Sequence, residues 1–130
     1  MSKKSGSTRT KEIMSMLLEQ FSQAFSLNPN EVRPLESAAF NDVQIHLQLF
    51  GDDEKYLRRV FSYYRNSTTY IRAVALGKRE RDILGRKSKH IMPQKRREKA
   101  RKILQQRGHW SDNLEGRYQG HLKDLLKQVK

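Results

Sequence analysis

The sequence has no cysteine, only three prolines and no long apolar run. Without cysteine, a disulfide framework, a thiolate metal site and a cysteine nucleophile are all excluded, and we expect a protein of the reducing cytoplasm. No stretch approaches the ~18 apolar residues of a membrane span, and the N-terminus lacks the apolar segment typical of an export signal. The 130 residues suffice for one compact core.

Motifs for catalysis are also lacking. The four histidines are scattered with no H-x-x-x-H pair, and there is no G-x-x-x-x-G-K-[ST] loop for a nucleotide. The acidic run Asp52-Asp53-Glu54 falls at the predicted start of a helix, where carboxylates are ordinary. We therefore expect no enzymatic activity, no metal, no cofactor and no small-molecule substrate.

Positive charge is abundant and unevenly distributed. The chain has 27 Lys and Arg against 14 Asp and Glu, a net charge of +13. Residues 12–54 carry a net charge of −7, whereas residues 55–107 carry +15. Because a folded segment of that charge repels itself, a polyanion is the expected partner. The alternative is a solvated basic surface; a membrane is disfavoured, since the basic region has no wide apolar face to insert.

Helical periodicity dominates the first half of the chain. Residues 1–10 are small, polar and basic, and predict a flexible, disordered arm that adds contacts to phosphates. Apolar spacing predicts a first helix over residues 11–25 and a second helix that ends at Gly51. The inward positions are Ile13, Leu17, Phe21, Phe25, Phe40, Val43, Leu47 and Phe50.

A third helix combines a core stripe with a row of cations. Asp52 is the predicted N-cap, and Leu57, Val60, Phe61 and Tyr64 face inward. Cations recur on the other side at spacings of three and four residues, which predicts one basic face for phosphates. These cations are Lys55, Arg58, Arg59 and Arg65.

Three further elements follow. Residues 66–69 predict the N-cap of a fourth helix, whose unpaired backbone N–H groups form an anion site. Over residues 78–92 the apolar residues no longer follow a helical spacing, which predicts a small basic β-hairpin. Pro93 suits the first turn of a last helix, and residues 108–130 form a further helix or an association segment. The last helix docks through Ala100, Ile103 and Leu104 and leaves in solvent Lys95, Arg96, Arg97, Lys99, Arg101 and Lys102.

An ordered series of short motifs spans residues 21–104. In chain order it consists of Phe21 and Phe25, Arg33-Pro34-Leu35, Phe40-Asn41-Asp42-Val43, Leu57-Arg58, Tyr64-Arg65-Asn66-Ser67-Thr68-Thr69-Tyr70, Gly77, Asp82-Ile83, Gly85 and Ala100-Arg101-Lys102. This series resembles the ProQ/FinO family of bacterial RNA chaperones. The resemblance implies a mainly helical (α+β) domain over residues 11–107, with about five helices and a small β-hairpin.

The resemblance also implies a ligand and a site. The implied ligand is the 3′ end of a structured RNA, usually a terminator hairpin with a single-stranded tail. Binding by a monomer would protect small or antisense RNAs and promote their pairing with messages. On the implied concave face, Lys55 and Arg58 follow the duplex, while Tyr70 stacks or hydrogen-bonds at the 3′ terminus. Phosphates there are held by Ser67, Thr68 and Thr69, and the remaining expected RNA contacts are Arg33, Arg59, Arg65, Arg79 and Arg81.

The sequence departs from the family pattern at two places. Glu36 and Ala38 stand where the family has a lysine and a glycine, and Glu80 stands where it has a hairpin arginine. Arg79 or Arg81 replaces that arginine only if the register shifts by one residue, which reverses the direction of the side chain. We therefore expect a ligand preference that differs from that of other members.

Two other partners stay open at this point. In a nucleoid-type structural protein, the third helix would enter the major groove of duplex DNA. In a ribosome-associated protein, the basic surface would bind ribosomal RNA. Preference for a tailed RNA hairpin over duplex DNA of equal length distinguishes the family-like function from the first of these.

Overall fold

Six α-helices form in chain order within residues 6–128, which are the residues that the computed structural model describes, with side chains for residues 8–124. They are α1 (Gly6–Gln20), α2 (Ala39–Leu47), α3 (Asp52–Arg65), α4 (Thr68–Ala75), α5 (Gln94–Gln106) and α6 (Asp112–Gln128). Five of them correspond to the predicted helices. The sixth shows that most of the extension after residue 108 is helical.

The first helix begins earlier than its apolar pattern indicates. Residues 6–10 are helical, although they belong to the segment predicted as a disordered arm; the rest of that segment lies outside the described residues. Arg9 accounts for the early start, because its guanidinium donates to both carboxylate oxygens of Asp53 at 2.8 and 2.9 Å. The same contact holds the pKa of Asp53 below its usual range. An ion pair to α3 thus anchors the first turns of α1.

The core is built around α3. Leu57, Val60, Phe61 and Tyr64 are buried as predicted, with α1 packed on one side of α3 and α2 on the other. The Phe61 ring meets the Phe25 ring edge-on at 5.6 Å between centroids. A buried phenylalanine of this kind contributes about 1.5–3 kcal/mol relative to an exposed one.

The second helix stops before its last predicted core position. Gln48 adopts a left-handed conformation with a φ of 53°, and its backbone N–H caps α2. The turn that follows buries Leu49 and leaves Phe50 58 % exposed. The prediction of Phe50 as a core residue is therefore wrong, because the chain leaves the helix before the fourth position of the stripe.

The predicted β-hairpin does not form as strands within the described part of the chain. Two isolated bridges take its place, since Arg81 pairs with Leu35 in parallel and with Lys87 in antiparallel fashion. The carboxylate of Asp82 accepts from the backbone N–H groups of Leu84 and Arg86, both at 2.9 Å. Backbone hydrogen bonds from Ser88 to Glu80 and from Asp82 to Arg86 flank the Arg81–Lys87 bridge. The pairing does not extend into a ladder, because the chain turns after Ser88, whose Oγ accepts from the backbone N–H of His90 at 3.1 Å.

The prediction for Arg97 is also wrong. This side chain was expected in solvent, but it is 0 % exposed. Its guanidinium donates to the carbonyl of Ala75 at 3.0 Å and to the carbonyl of Tyr118 at 3.1 Å. It also lies 4.5 Å from the centroid of the buried Tyr118 ring. Because Tyr118 belongs to α6, the C-terminal helix covers α5 and turns a solvent position into a core position.

Candidate nucleic-acid interface

The cations of α3 do not form one row. Arg58 lies on the α2 side, 4.7 Å above the Phe40 ring, and pairs with Glu54 at 2.9 Å. Arg59 lies on the α1 side and lines a groove of about 560 Å³ together with Tyr63, which is 76 % exposed. The predicted single face is thus divided by the axis of the helix.

Two more of the predicted RNA contacts, Arg65 and Lys55, lie near the two ends of α3. The guanidinium of Arg65 lies 5.3 Å from the Phe61 ring centroid and reaches the carbonyl of Glu36 at 3.5 Å. It therefore lies on the same side of α3 as Arg58, about two helical turns further along. Lys55 is exposed near the start of the helix. Lys55, Arg58 and Arg65 consequently form a set of accessible cations that leads toward the start of α4.

Ser67 caps α4 as predicted. Its Oγ accepts a hydrogen bond from the backbone N–H of Tyr70 at 3.2 Å and donates to the carbonyl of Tyr64 at 2.8 Å. The backbone N–H groups of Thr68 and Thr69 form no hydrogen bond to any residue that the structure describes. Two donors at the positive end of a helix remain for an anion.

Tyr70 lies in the core at the first turn of α4, and the RNA contact that the resemblance implies for it stays a prediction. Its ring is 4 % exposed and packs edge-on against the Tyr64 ring, with 5.7 Å between centroids. Its hydroxyl accepts a hydrogen bond from the backbone N–H of Leu35 at 2.9 Å. Only a small part of the ring is left for contact with a nucleotide. What Tyr70 does in this structure is hold the loop around Leu35 against the first turn of α4.

A cavity of about 210 Å³ lies between α4 and α5, and we call it the α4–α5 cavity. Its apolar lining comes from Tyr70, Ile71, Val74, Ala100 and Ile103, and its cations are Arg65, Arg96 and Lys99. Arg65 was predicted as an RNA contact, whereas Arg96 and Lys99 were expected in solvent and were left out of the predicted 3′-end site. A usable signal was present, because Lys99 and Arg96 are three residues apart and Lys99 precedes Ala100, which docks α5.

The two arginines that flank Glu80 have different surroundings. Arg79 is exposed. Arg81 is half-buried, donates to the carbonyl of Gly85 at 3.0 Å, and leaves its buried Nε without a partner among the described residues. Burial lowers the pKa of Arg81, and repulsion by Arg33 lowers it further. Arg81 therefore lies beside Arg33 and does not line the α4–α5 cavity.

Glu80 has a defined role in this fold. Its carboxylate accepts from Arg96 at 3.1 Å, so it links the turn to α5. The acid that stands at the expected arginine position thus fixes a cation at the rim of the α4–α5 cavity. Arg33, by contrast, donates to the carbonyls of Asn30 and Val32, both at 2.9 Å, and lies at other cavities.

The described residues contain no group of three or more His, Asp and Glu side chains that could hold a metal ion. Within the same part of the chain, no helix is long and apolar enough to cross a membrane. The chemistry that the site offers is therefore that of backbone amides, guanidinium and ammonium groups beside an apolar floor. These are groups that bind phosphates and cover a base or ribose.

A small, mainly helical domain with amide and cation donors around a short capped helix is a nucleic-acid-binding domain in its chemistry. Two solved structures share this fold. A FinO-like RNA chaperone from Neisseria meningitidis is 17 % identical with a TM-score of 0.64, covering 79 % of this chain and 82 % of its own. A ProQ homologue from Legionella pneumophila is 23 % identical with a TM-score of 0.60, covering 86 % of this chain and 90 % of its own.

The sequence comparison identifies the family. Residues 7–113 match the ProQ/FinO family, whereas no curated protein sequence gives a match. The chain therefore belongs to the ProQ/FinO family, whose members are RNA-binding proteins and RNA chaperones. The matched residues end inside the first turn of α6, so nearly all of that helix lies beyond the family match.

Proposed function

We propose that this protein recognises the 3′ end of structured RNAs, typically a terminator hairpin with a single-stranded tail. Acting as a monomer in the cytoplasm, it protects small or antisense RNAs from exonucleases and promotes their pairing with messages. The observation that carries this proposal is the pair of unoccupied backbone N–H groups at Thr68 and Thr69, in the first turn of the helix whose Tyr70 and Val74 line the α4–α5 cavity. A terminal nucleotide has both a phosphate for the amides and a sugar and base for the apolar floor.

The cations supply affinity, and the cavity supplies selectivity. Lys55, Arg58 and Arg65 lead along α3 toward the capped start of α4, in position for the phosphates of a duplex. Their contribution depends on counterion release and so falls steeply with salt. The α4–α5 cavity is short and bounded by two helices, which favours an end of a strand over its middle. Tyr70 acts in this proposal as a positioning residue that fixes the loop at Leu35.

The alternative of duplex DNA fits the geometry less well. A recognition helix must enter a major groove about 12 Å wide with its own side chains foremost. Here α3 lies between α1 and α2, and its cations point to two different sides. Entry of α3 into a groove would require the neighbouring helices to move.

A competition experiment tests the proposal. Binding is measured at one near-physiological salt concentration for a terminator hairpin with a 3′ uridine tail, the same hairpin without its tail, the tailed hairpin with a 3′ phosphate, and duplex DNA of equal length. We expect loss of the tail to weaken binding about tenfold, the value of one or two charge-assisted hydrogen bonds. The 3′ phosphate tests whether the cavity accepts a blocked terminus.

Two results would argue against 3′-end recognition. Equal affinities for the tailed hairpin, the tail-less hairpin and the DNA would leave only a non-specific polyanion binder. Tighter binding to ribosomal RNA fragments than to any tailed hairpin would favour a ribosome-associated protein. Salt must be identical throughout, because affinities at different salt concentrations are not comparable.

A further inference from the structure

A second cluster of cations lies on the side of α4 opposite the α4–α5 cavity. Thr69 and Arg72 of α4 and its C-cap Leu76 line a cavity of about 120 Å³, whereas Tyr70 and Val74 line the α4–α5 cavity. At about 100° per residue, these two sets point in opposite directions from the helix axis. The cations around the smaller cavity are Arg33, Arg72, Lys78 and Arg117, and we call it the four-cation cavity.

The lining of the four-cation cavity contains no carboxylate. Within the described part of the chain, none of its four cations takes part in an ion pair. Asp124 lines an adjoining cavity with Lys78 and Arg117 but pairs with neither of them. The positive charge here is therefore not neutralised by the described side chains.

Neutral carbonyl groups hold two of the cations in place. Arg72 donates to the carbonyl of Pro29 at 3.2 Å, and Arg33 donates to the carbonyls of Asn30 and Val32. A carbonyl fixes a guanidinium without cancelling its charge, and each guanidinium has five N–H donors, so others are left. Both guanidinium groups are thus held at the four-cation cavity, and each keeps N–H donors that can bind a ligand.

The cations of this cluster repel one another. Burial lowers the pKa of Lys78, and repulsion by Arg33 and Arg117 lowers it further. Lys78 is half-buried, since its backbone follows Gly77 under α6. An anion in the cavity would reverse the sign of this interaction, because it attracts all four cations at once.

We propose that the four-cation cavity is a phosphate-binding site, which takes a phosphate group of an RNA backbone or of a free phosphate compound. Three guanidiniums and one ammonium surround a space of molecular size, and guanidinium forks match phosphate oxygens. Arg117 lies beyond the residues that match the family, so α6 brings a cation of this chain's own to the site. The inference goes beyond 3′-end recognition, because the site faces away from the α4–α5 cavity.

The test compares wild-type protein with Lys78→Gln, Arg117→Gln and a control, Lys123→Gln. Lys123 is an exposed residue of the same helix as Arg117 and does not line the cavity. Two quantities are measured for each: the shift in melting temperature when sodium chloride is replaced by sodium phosphate at equal ionic strength, and the affinity for hairpins with and without a tail. Far-ultraviolet circular dichroism checks that each variant is folded.

We expect phosphate to stabilise the wild type and Lys123→Gln, and to lose this effect in the two cavity variants. If an RNA backbone supplies the phosphate, both cavity variants also lose about 3- to 10-fold in affinity, for tailed and tail-less hairpins alike. If a free phosphate compound supplies it, RNA affinity stays at the wild-type value. Both results support the phosphate-binding site, and the RNA affinity shows whether RNA or a free compound supplies the phosphate.

The proposal is overturned if both cavity variants match Lys123→Gln in the phosphate shift and in RNA affinity. Failure of 3′-end recognition has a different signature. It appears as equal affinity of the wild type for tailed and tail-less hairpins, whatever the cavity variants do. The two proposals can therefore fail separately.

Discussion

Two neighbouring arginines on α5 have opposite surroundings. Arg97 is fully buried, and its guanidinium is occupied by the carbonyls of Ala75 and Tyr118 and by the Tyr118 ring. Arg96 is exposed, forms one ion pair with Glu80 and lines the α4–α5 cavity. The basic segment is therefore not a uniform surface. Both residues carry the same charge. Burial and hydrogen bonds to carbonyl groups make Arg97 a structural residue, whereas exposure leaves Arg96 accessible to a ligand.

The two cavities on α4 extend this comparison. The α4–α5 cavity combines a floor of apolar side chains with cations at its edge. The four-cation cavity has more charge and lies beside polar residues of the loop that precedes Val32. A nucleotide end suits the first, whereas a phosphate alone suits the second. Variants that distinguish structural from ligand-binding cations test this difference between the two cavities.

The largest effect is expected for Arg97→Ala. This change leaves the carbonyls of Ala75 and Tyr118 unsatisfied in the core and opens a void beneath the Tyr118 ring. We expect a loss of about 3–5 kcal/mol in the free energy of unfolding. Urea denaturation measures it. The matched control Arg96→Ala should lose less than about 1 kcal/mol, since its ion pair is partly exposed. Equal losses would remove the distinction between the two arginines.

The next effect concerns how closely α6 covers the fold. Gly77 has a φ of +73°, and a Cβ placed there would lie 2.3 Å from Nε2 of His121. Gly77→Ala should therefore destabilise the protein by about 2–3 kcal/mol, from backbone strain and the clash together. Gly108, with a φ of +75° and nothing within 4 Å of an added Cβ, serves as control. We expect Gly108→Ala to lose only about 1 kcal/mol. The same loss in both would mean that α6 does not press on Gly77.

The third prediction concerns RNA affinity. Lys99→Ala removes a cation from the α4–α5 cavity, and we expect about a tenfold loss for the tailed hairpin with a smaller loss for the tail-less hairpin. Lys102 lies on the same helix outside this cavity and pairs with Glu98 at 3.7 Å. Lys102→Ala should change both affinities by less than about threefold. Fluorescence anisotropy at fixed salt measures all four values. Identical losses for both ligands in Lys99→Ala would place Lys99 on the duplex.

The smallest effect is a pH dependence from His121. Burial lowers the pKa of His121, and the charges of Arg97 and Lys78 lower it further, while Asp124 acts in the opposite direction. A depressed pKa in the folded state means that the unfolded state binds the proton more readily. The stability that His121 contributes is therefore present above about pH 6.5 and is lost as the pH falls through its lower folded value. Between pH 7.5 and 5.5, we expect wild type to lose about 0.5 kcal/mol more than His121→Gln.

Carboxylates do not interfere in that range. Asp53 and Asp82 also have pKa values below the usual range, because Arg9 and the turn around Arg86 stabilise their charged forms. Their contributions are lost only in more acidic solution. A parallel fall in both proteins between pH 7.5 and 5.5 would show that His121 is not the group responsible.

Local patterns predicted the helices well where a core stripe and a cap agree. For α3, the four inward residues and the acidic first turn follow from spacing alone, and for α4 the cap at Ser67 follows from residue type. The family and its RNA-binding character followed from the order of motifs, and the match over residues 7–113 confirms them. The hairpin prediction was wrong, since the pairing of residues 80–82 with residues 86–88 ends where the chain turns after Ser88 and does not extend into strands.

Charge pattern was a weaker guide to the site. It predicted the cations of α3 as one face, yet their spacing of three and four residues spans enough of the helix to divide them between α1 and α2. Lys99 was left out of the predicted site, because its spacing to Arg96 and its place beside Ala100 do not show which helix faces them. The environment of Arg97 depends on Tyr118, a residue 21 positions away.

By itself, the sequence determined the helical periods, the capping residues, the excess of positive charge after residue 54 and the membership of a family. These properties depend on residue type and short spacing, which local backbone geometry translates directly into structure. Tertiary packing alone decided which cations are buried and which line a cavity. Those outcomes depend on contacts between segments distant in the chain, above all on how α5 and α6 close over α4.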